Sequence, residues 1–199
     1  PIRVAFMNNN KEKLEIPSIP ALKEELMREK VKREFRRAIL NMAGILIVAA
    51  ALTALMATRI FVLVQINGSS MKPTLNEDEV IILRQTKAVE KGDIVGFYYG
   101  GKILLKRVMA GAGDEVDIDR EGNVSVNGER LGESYLKEKT LGKCDLEFPY
   151  EVPEGTIFVL GDNRAISMDS RIKSIGCVES DQIVGKVVFR MWPMARMGI

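Results

Sequence analysis

The stretch AILNMAGILIVAAALTALMAT, residues 38–58, divides the chain into two parts, and it contains no charged side chain. An α-helix needs about 20 predominantly apolar residues to cross the hydrocarbon core of a bilayer. The alternatives are a buried core helix and a cleaved secretory signal, but the apolar region of a signal seldom exceeds about 15 residues. A polar segment, residues 1–37, also precedes this one. The sequence therefore predicts one transmembrane helix over residues 38–58.

Basic residues flank this span unequally. On its C-terminal side only Arg59 is close, and Lys72 is the next. The N-terminal side carries a cluster: Arg28, Lys30, Lys32, Arg33, Arg36 and Arg37. Because Lys and Arg are retained on the cytoplasmic side of a membrane, we expect a single-pass protein of the cytoplasmic membrane with residues 1–37 inside. Residues 59–199 are then extracytoplasmic.

The cytoplasmic part divides into a tail and a basic segment. An asparagine run and two prolines beyond the first residue predict a flexible tail over the first 20 residues. The segment LKEELMREKVKREFRR, residues 22–37, is prone to form a helix with a loose apolar stripe. It either lies on the inner leaflet or extends the span inward, and a solvated helical collar is an equal alternative.

After the span the pattern changes from helical to strand-like. Glycine-bearing turns, such as Gly100–Gly101, separate short runs rich in β-branched and aromatic residues. These runs are IFVLVQI, EVIILRQ, GDIVGFYY, KILLKRV, DEVDID, NVSVNG, TIFVL and KVVFRMW. The sequence predicts a mainly β fold, with a compact antiparallel β-sheet or barrel-like domain over residues 59–199. Within it, Cys144 to Pro153 is expected to be a surface loop.

Composition excludes several classes of function. A net charge of +2, with the basic residues near the N-terminus, gives no reason to expect nucleic-acid binding. The chain has no histidine, so a zinc site built from cysteine and histidine is excluded, and no metal or cofactor is predicted. Cys144 and Cys177 both lie in the predicted extracytoplasmic part, where a disulfide can form. The sequence leaves open whether they are bonded.

Lys106 is the first candidate for chemistry. In the strand KILLKRVMA, alternate residues share a face, which puts Lys106 between Leu104 and Val108 on an otherwise apolar strip. Burial of a lysine disfavours its ammonium form, so this residue is a candidate general base in a chain that lacks histidine. A structural lysine whose amine reaches solvent along the surface is the more frequent outcome for a lone lysine of this kind.

Two polar stretches supply the other candidates. Ser70, in NGSSMKPTL, is a candidate nucleophile, although a serine before a proline-containing segment is often only a turn former or helix cap. The stretch GDNRAISMDSR, residues 161–171, is either a surface loop with mutual ion pairs or a scaffold that orients a catalytic group. Taken alone, each stretch is also consistent with a purely structural role: a turn or cap for Ser70 and a surface loop for residues 161–171.

Together, and in this order behind the span, these stretches resemble the type I (leader) signal peptidases of bacteria. The resemblance rests on SMKPTL at 70–75, GDIV at 92–95, KRV at 106–108 followed by GAGDEV, and GDNRAISMDSR at 161–171. The ending VVFRMWPMARMG also looks like the C-terminal strand of that family. The similarity covers nearly all of the chain from the span onward, and four motifs in order are far more specific than one.

The resemblance implies a serine-lysine protease with a β-rich domain at the membrane surface. It assigns the nucleophile to Ser70 and the general base to Lys106. It assigns a lysine-holding hydroxyl to Ser167 and substrate contacts to Met71 and Pro73. It assigns a supporting charge network to Asp162, Arg164, Asp169 and Arg171. Gly68 stands where some members have a serine that donates to the oxyanion, which leaves the second oxyanion donor unassigned.

The same resemblance implies the substrate and the partners. Such an enzyme cuts signal peptides from secreted preproteins after a small-X-small site, beside membrane lipid and with the secretion translocon as a further candidate partner. A self-cleaving repressor also pairs serine with lysine, but such proteins are soluble and the predicted span argues against one. A catalytically inactive, membrane-anchored module that only binds signal peptides is the non-enzymatic alternative.

Overall fold

The computed structural model describes residues 18–198, so most of the predicted N-terminal tail lies outside the described residues. One α-helix, α1, runs over Ile19–Ile60 and is the only helix in the described part that is long and apolar enough to cross a membrane. The basic segment continues directly into the apolar span, so the two form one helix. The chain divides into a unit that ends at Ala54 and a second unit, Leu55–Ile199.

The second unit is built from antiparallel strands. Its strands are β1 (Phe61–Gln65), β2 (Val80–Arg84), β3 (Ile94–Tyr99), β4 (Lys102–Ala110), β5 (Glu115–Ile118), β6 (Val124–Val126), β7 (Glu129–Arg130), β8 (Tyr150–Glu151), β9 (Thr156–Leu160), β10 (Val178–Glu179) and β11 (Ile183–Trp192). Seven form one sheet in the order β1-β2-β11-β3-β4-β9-β10, and four form another in the order β7-β6-β5-β8. The predicted fold class, mainly antiparallel β with one N-terminal apolar helix, is confirmed.

Two details differ from the sequence prediction. The strands β7, β8 and β10 were not expected, because two residues are too few to show an alternating pattern. The segment from Cys144 to Pro153 is not only a surface loop: it contains β8, and Val152 is buried in the core. Its apolar side chains pack against the core cluster that holds Phe158. Core packing therefore fixes the end of this segment.

The two strands next to the candidate site are fixed by burial and register. β4 pairs with β3 along its whole length, from Lys102 opposite Tyr99 to Arg107 opposite Ile94. From Leu105 onward β4 is buried on both faces, which is why strict alternation of apolar and polar residues fails there. β9 pairs with β4 only from Arg107, so the described residues of β9 leave the backbone edge of Ile103–Leu105 unpaired on that side.

Candidate active site

Ser70 lies in the connection between β1 and β2, where buried side chains hold the backbone. Met71 and Leu75, which follow it, are 2% and 0% exposed and belong to the core cluster that also contains Leu105 of β4. The Leu75 N–H donates to the Met71 carbonyl at 2.9 Å, and the Lys72 N–H donates to the Ser69 carbonyl at 3.2 Å. This tight turn is anchored in the core, so the backbone position of the half-buried Ser70 is fixed.

Lys106, on β4, contacts Ser70, in the connection between β1 and β2. Its Nζ lies 2.9 Å from the Ser70 Oγ and donates to the Leu105 carbonyl at 2.9 Å. The side chain is 2% exposed, and this burial lowers the pKa of the amine from 10.5 to about 8. The carboxylates of Asp169 and Asp162 oppose the shift, and the guanidinium of Arg171 adds to it. About a tenth of the lysine is then neutral at pH 7, against less than a thousandth in water.

A buried lysine with a lowered pKa makes stability depend on pH. Between pH 8 and 10.5 the unfolded chain holds a proton that folded Lys106 has released, so stability rises with pH in this window by up to about 3 kcal/mol. Methionine at this position has no proton to release. We expect the free energy of unfolding of the wild type to rise relative to that of Lys106→Met as the pH increases across this window. Denaturant titration in detergent measures both. A constant difference from pH 7.5 to 10.5 would contradict the burial of a titrating amine.

The loop Gly161–Arg171 packs directly against the nucleophile. The Asn163 N–H donates to the Ser70 carbonyl at 2.9 Å, and its side-chain amide donates to the Ser69 carbonyl at 3.2 Å. A Cβ at Gly161 would lie 2.7 Å from the Ser70 carbonyl oxygen and would also strike the side chain of Ser167. Glycine at 161 is therefore what allows the loop to approach so closely.

Inside the loop, Asp169 is the central acceptor. Its carboxylate accepts from the Gly161 N–H at 2.9 Å and from two nitrogens of the Arg171 guanidinium, each at 2.8 Å. Asp169 and Arg171 are almost fully buried. The guanidinium also donates to the carbonyls of Arg164 and Leu141. These bonds satisfy the buried charges and fix the shape of the loop that faces Lys106.

Ser167 does not make the expected contact with Lys106. Its hydroxyl is buried and forms no hydrogen bond with any described residue. The Leu105 carbonyl and Ser70 Oγ take the two hydrogen bonds that the Lys106 amine makes. The loop thus brings Ser167 next to Gly161 without joining its hydroxyl to the amine.

Three residues that contact the charge network were not identified from the sequence: Thr74, Arg107 and Glu133. Asp162 contacts Arg107 at 2.6 Å and accepts from the Thr74 hydroxyl at 2.5 Å. Arg164 pairs with Glu133, and both side chains are 1% exposed. The position of Arg107, directly after Lys106 and so on the other face of β4, was a usable signal. Glu133 lies in a loop without any repeating pattern, so nothing in the sequence singled it out.

The remaining predicted residues fall in different places. Met71 packs in the core and also lines the cleft beside Ser70, whereas Pro73 lines a separate, larger cavity. Gly68 lies in the turn before Ser70 with a φ of 112°, a conformation that favours glycine. Cys144 and Cys177 are both free thiols, and burial raises the pKa of Cys177.

A small cleft of about 50 Å³ opens beside the two facing side chains. Its walls come from the end of β1, the turn that follows it and the first half of β4. The lining residues are Val64, Gln65, Ile66, Asn67, Gly68, Ser70, Met71, Ile103, Leu104, Leu105 and Lys106. β1 is the outermost strand of its sheet, and Ile103–Leu105 have an unpaired edge. An extended peptide that enters this cleft therefore finds backbone groups with which to pair.

Known proteins are similar in sequence to this chain over most of its length. Residues 39–192 match the family described as signal peptidase, peptidase S26. Signal peptidase IB of Staphylococcus aureus is 35% identical over 150 residues, which cover 65% of this chain and 77% of the relative. Signal peptidase I of Bacillus caldolyticus is 36% identical over 162 residues, 73% of this chain and 87% of the relative. A crystal structure of a signal peptidase I from Enterococcus faecalis is 30% identical, with a TM-score of 0.41 over 50% of this chain and 96% of that chain.

Proposed function

Because the chain belongs to the signal peptidase (peptidase S26) family, we propose that it cleaves signal peptides with Ser70 as nucleophile and Lys106 as general base. The observation that carries this proposal is the 2.9 Å distance between the buried Lys106 Nζ and the Ser70 Oγ. A base within hydrogen-bond reach, with a pKa lowered towards the working pH, is what a serine nucleophile requires. No other residue type is needed, which suits a chain without histidine.

The reaction follows from these two groups. The Ser70 Oγ attacks the scissile carbonyl carbon while the neutral Lys106 amine takes the hydroxyl proton. The resulting ammonium gives that proton to the leaving nitrogen as the C–N bond breaks, which leaves an ester on Ser70. A water then attacks the ester, Lys106 accepts its proton, and the proton returns to Ser70 as the acid is released. The Ser70 N–H is one donor to the oxyanion.

The charge network supports this role of Lys106 indirectly. The carboxylates of Asp169 and Asp162 each interact with the amine and oppose its loss of a proton. The guanidinium of Arg171, which is paired with Asp169, partly offsets that effect because its positive charge disfavours the ammonium form. Burial then outweighs the remaining attraction, and the pKa of Lys106 falls.

The cleft favours a small-X-small substrate. An extended preprotein segment that pairs with the edges of β1 and Ile103–Leu105 presents alternate side chains to the same wall. A cleft of about 50 Å³ accepts side chains of alanine size and excludes large ones. The first and third residues before the cut share that wall, so both must be small.

Location at the membrane has two supports. The apolar helix and the family together indicate membrane anchoring. The basic residues before residue 38 favour a cytoplasmic N-terminus and an extracytoplasmic catalytic domain. On the outer strands, Leu63, Ile82 and Phe189 lie side by side in register, and Trp192 is 55% exposed on the same face. An apolar face of this kind suits contact with membrane lipid. The signal peptide would come from the secretion translocon in the same membrane.

The proposed base makes a pH dependence testable. Only neutral Lys106 accepts the Ser70 proton, so kcat/KM for a preprotein in detergent should rise with pH through about 8 and level off above about 9. The increase should be about tenfold from pH 6 to 7 and about fivefold from pH 7 to 8. A flat profile between pH 6 and 10, with chemistry rate-limiting, would rule out Lys106 as the base.

A further inference from the structure

A second cavity, much larger than the cleft, adjoins the nucleophile. Its volume is about 410 Å³, and it lies between the turn that follows Ser70 and the start of the loop Gly161–Arg171. The lining residues are Lys72, Pro73, Asn76, Lys137, Glu138, Asp162, Asn163, Arg164 and Ala165. None of these residues lines the cleft that holds Ser70 and Lys106. The proposed reaction gives this cavity no role.

The backbone of Ser69 and Ser70 separates the two spaces. Asn163, on the wall of the cavity, donates from its backbone to the Ser70 carbonyl and from its side chain to the Ser69 carbonyl. Lys72 begins the cavity two residues after the nucleophile. When the residues before the cut occupy the cleft, the residues after it begin at Ser70. The cavity is a concave surface on the far side of this turn that can receive them.

The cavity carries unpaired positive charge. Asp162 is matched by Arg107, and Arg164 by Glu133, so these buried charges are compensated. Within the described part of the chain, Lys72 and Lys137 form no ion pair and both are exposed. The Nη1 of Arg164 is a further buried donor that finds no partner among residues 18–198. Glu138 is the only unpaired acid on this wall, so the two lysines outweigh it.

We propose that this cavity binds the first residues of the mature protein, after the cut, and favours an acidic side chain there over a basic one. This inference rests on the proposed function of Ser70 and Lys106. Lys72 and Lys137 attract a carboxylate and repel an ammonium group. Because both lysines are exposed, we expect a preference of about threefold to tenfold, and it should shrink in high salt.

The test uses one preprotein in three forms, with Glu, Gln or Lys placed in turn at each of the first five positions after the cut. The full chain in detergent is compared with Lys72→Glu/Lys137→Glu, and Lys91→Glu is the matched control for an exposed lysine outside the cavity. We expect the ratio of kcat/KM for Glu over Lys to exceed one at one or more positions in the wild type. It should invert in the double variant and stay unchanged in Lys91→Glu.

The outcomes separate the two proposals. If all three enzymes cleave well with the same ratio of kcat/KM for Glu over Lys at every position, the cavity does not distinguish charges in the mature segment, and the proposed peptidase function stands. Lys91→Glu changes the net charge by half as much as the double variant does. If it shifts the logarithm of the ratio at least half as far, the preference is a long-range effect of net charge and the cavity assignment is overturned. If the folded wild type cleaves none of the preproteins, the proposed function falls and this inference falls with it.

Discussion

Ser70→Ala and Lys106→Met should each lower the rate of preprotein cleavage by about 10³-fold or more, to background. Alanine removes the attacking oxygen, and methionine keeps the length of the lysine side chain but has no group that accepts a proton. The two losses should not add in the double variant, because nucleophile and base act in the same step. The measurement is cleavage of a secretory preprotein after a small-X-small site, in detergent or lipid, by variants checked for folding.

Ser69→Ala is the matched control for this experiment. Ser69 is the neighbouring serine, but its carbonyl, and not its hydroxyl, makes the contacts: it accepts from the side-chain amide of Asn163 in the loop and from the Lys72 N–H in the same turn. Its replacement should leave cleavage within a few-fold of wild type. If Ser69→Ala is inactive and Ser70→Ala is active, the nucleophile is misassigned. If the folded wild type binds a signal peptide and makes no product, the chain is the inactive binding module instead.

Much of the fold could be predicted because its longer strands carry their own pattern. All eight strand-like runs predicted from the sequence contain strands of the structure. The run KILLKRVMA also showed a lysine surrounded by apolar residues, and that lysine is 2% exposed. Its alternation was misleading in one respect, since β4 is buried on both faces from Leu105 onward. Burial on both faces depends on segments outside the strand, since Leu105 packs in the cluster of Met71 and Leu75, whereas Met109 packs in the cluster formed by β5 and β6.

Parts of the site could not be predicted because their partners are distant in sequence. The loop Gly161–Arg171 could be recognised as charged, but the ion pairs of Asp162 and Arg164 are made outside it, with Arg107 and Glu133. The resemblance led us to expect a bond between Ser167 and Lys106 that the structure does not contain. Whether a buried hydroxyl reaches a particular amine depends on side-chain positions that sequence patterns do not resolve.

Glu133→Ala should destabilise the unit Leu55–Ile199 by about 3–5 kcal/mol, the largest effect on folding that we expect from a single replacement here. Glu133 and Arg164 are each 1% exposed, and Arg164 also donates to the Gly161 carbonyl at 3.1 Å. Removal of the carboxylate leaves a guanidinium buried without its counter-charge. Denaturant titration in detergent, followed by the fluorescence of Trp192, measures the free energy of unfolding.

Two further variants separate the lost ion pair from other effects. Glu138→Ala, an exposed glutamate five residues later, should change stability by less than about 0.5 kcal/mol. Adding Arg164→Met to Glu133→Ala removes the uncompensated charge, so the double variant should recover part of the loss. Recovery of stability without recovery of cleavage would mean that Arg164 also shapes the loop behind Ser70. If Glu133→Ala costs no more than Glu138→Ala, the buried pair does not stabilise this protein, and the loop must be fixed by Asp169 and Arg171 alone.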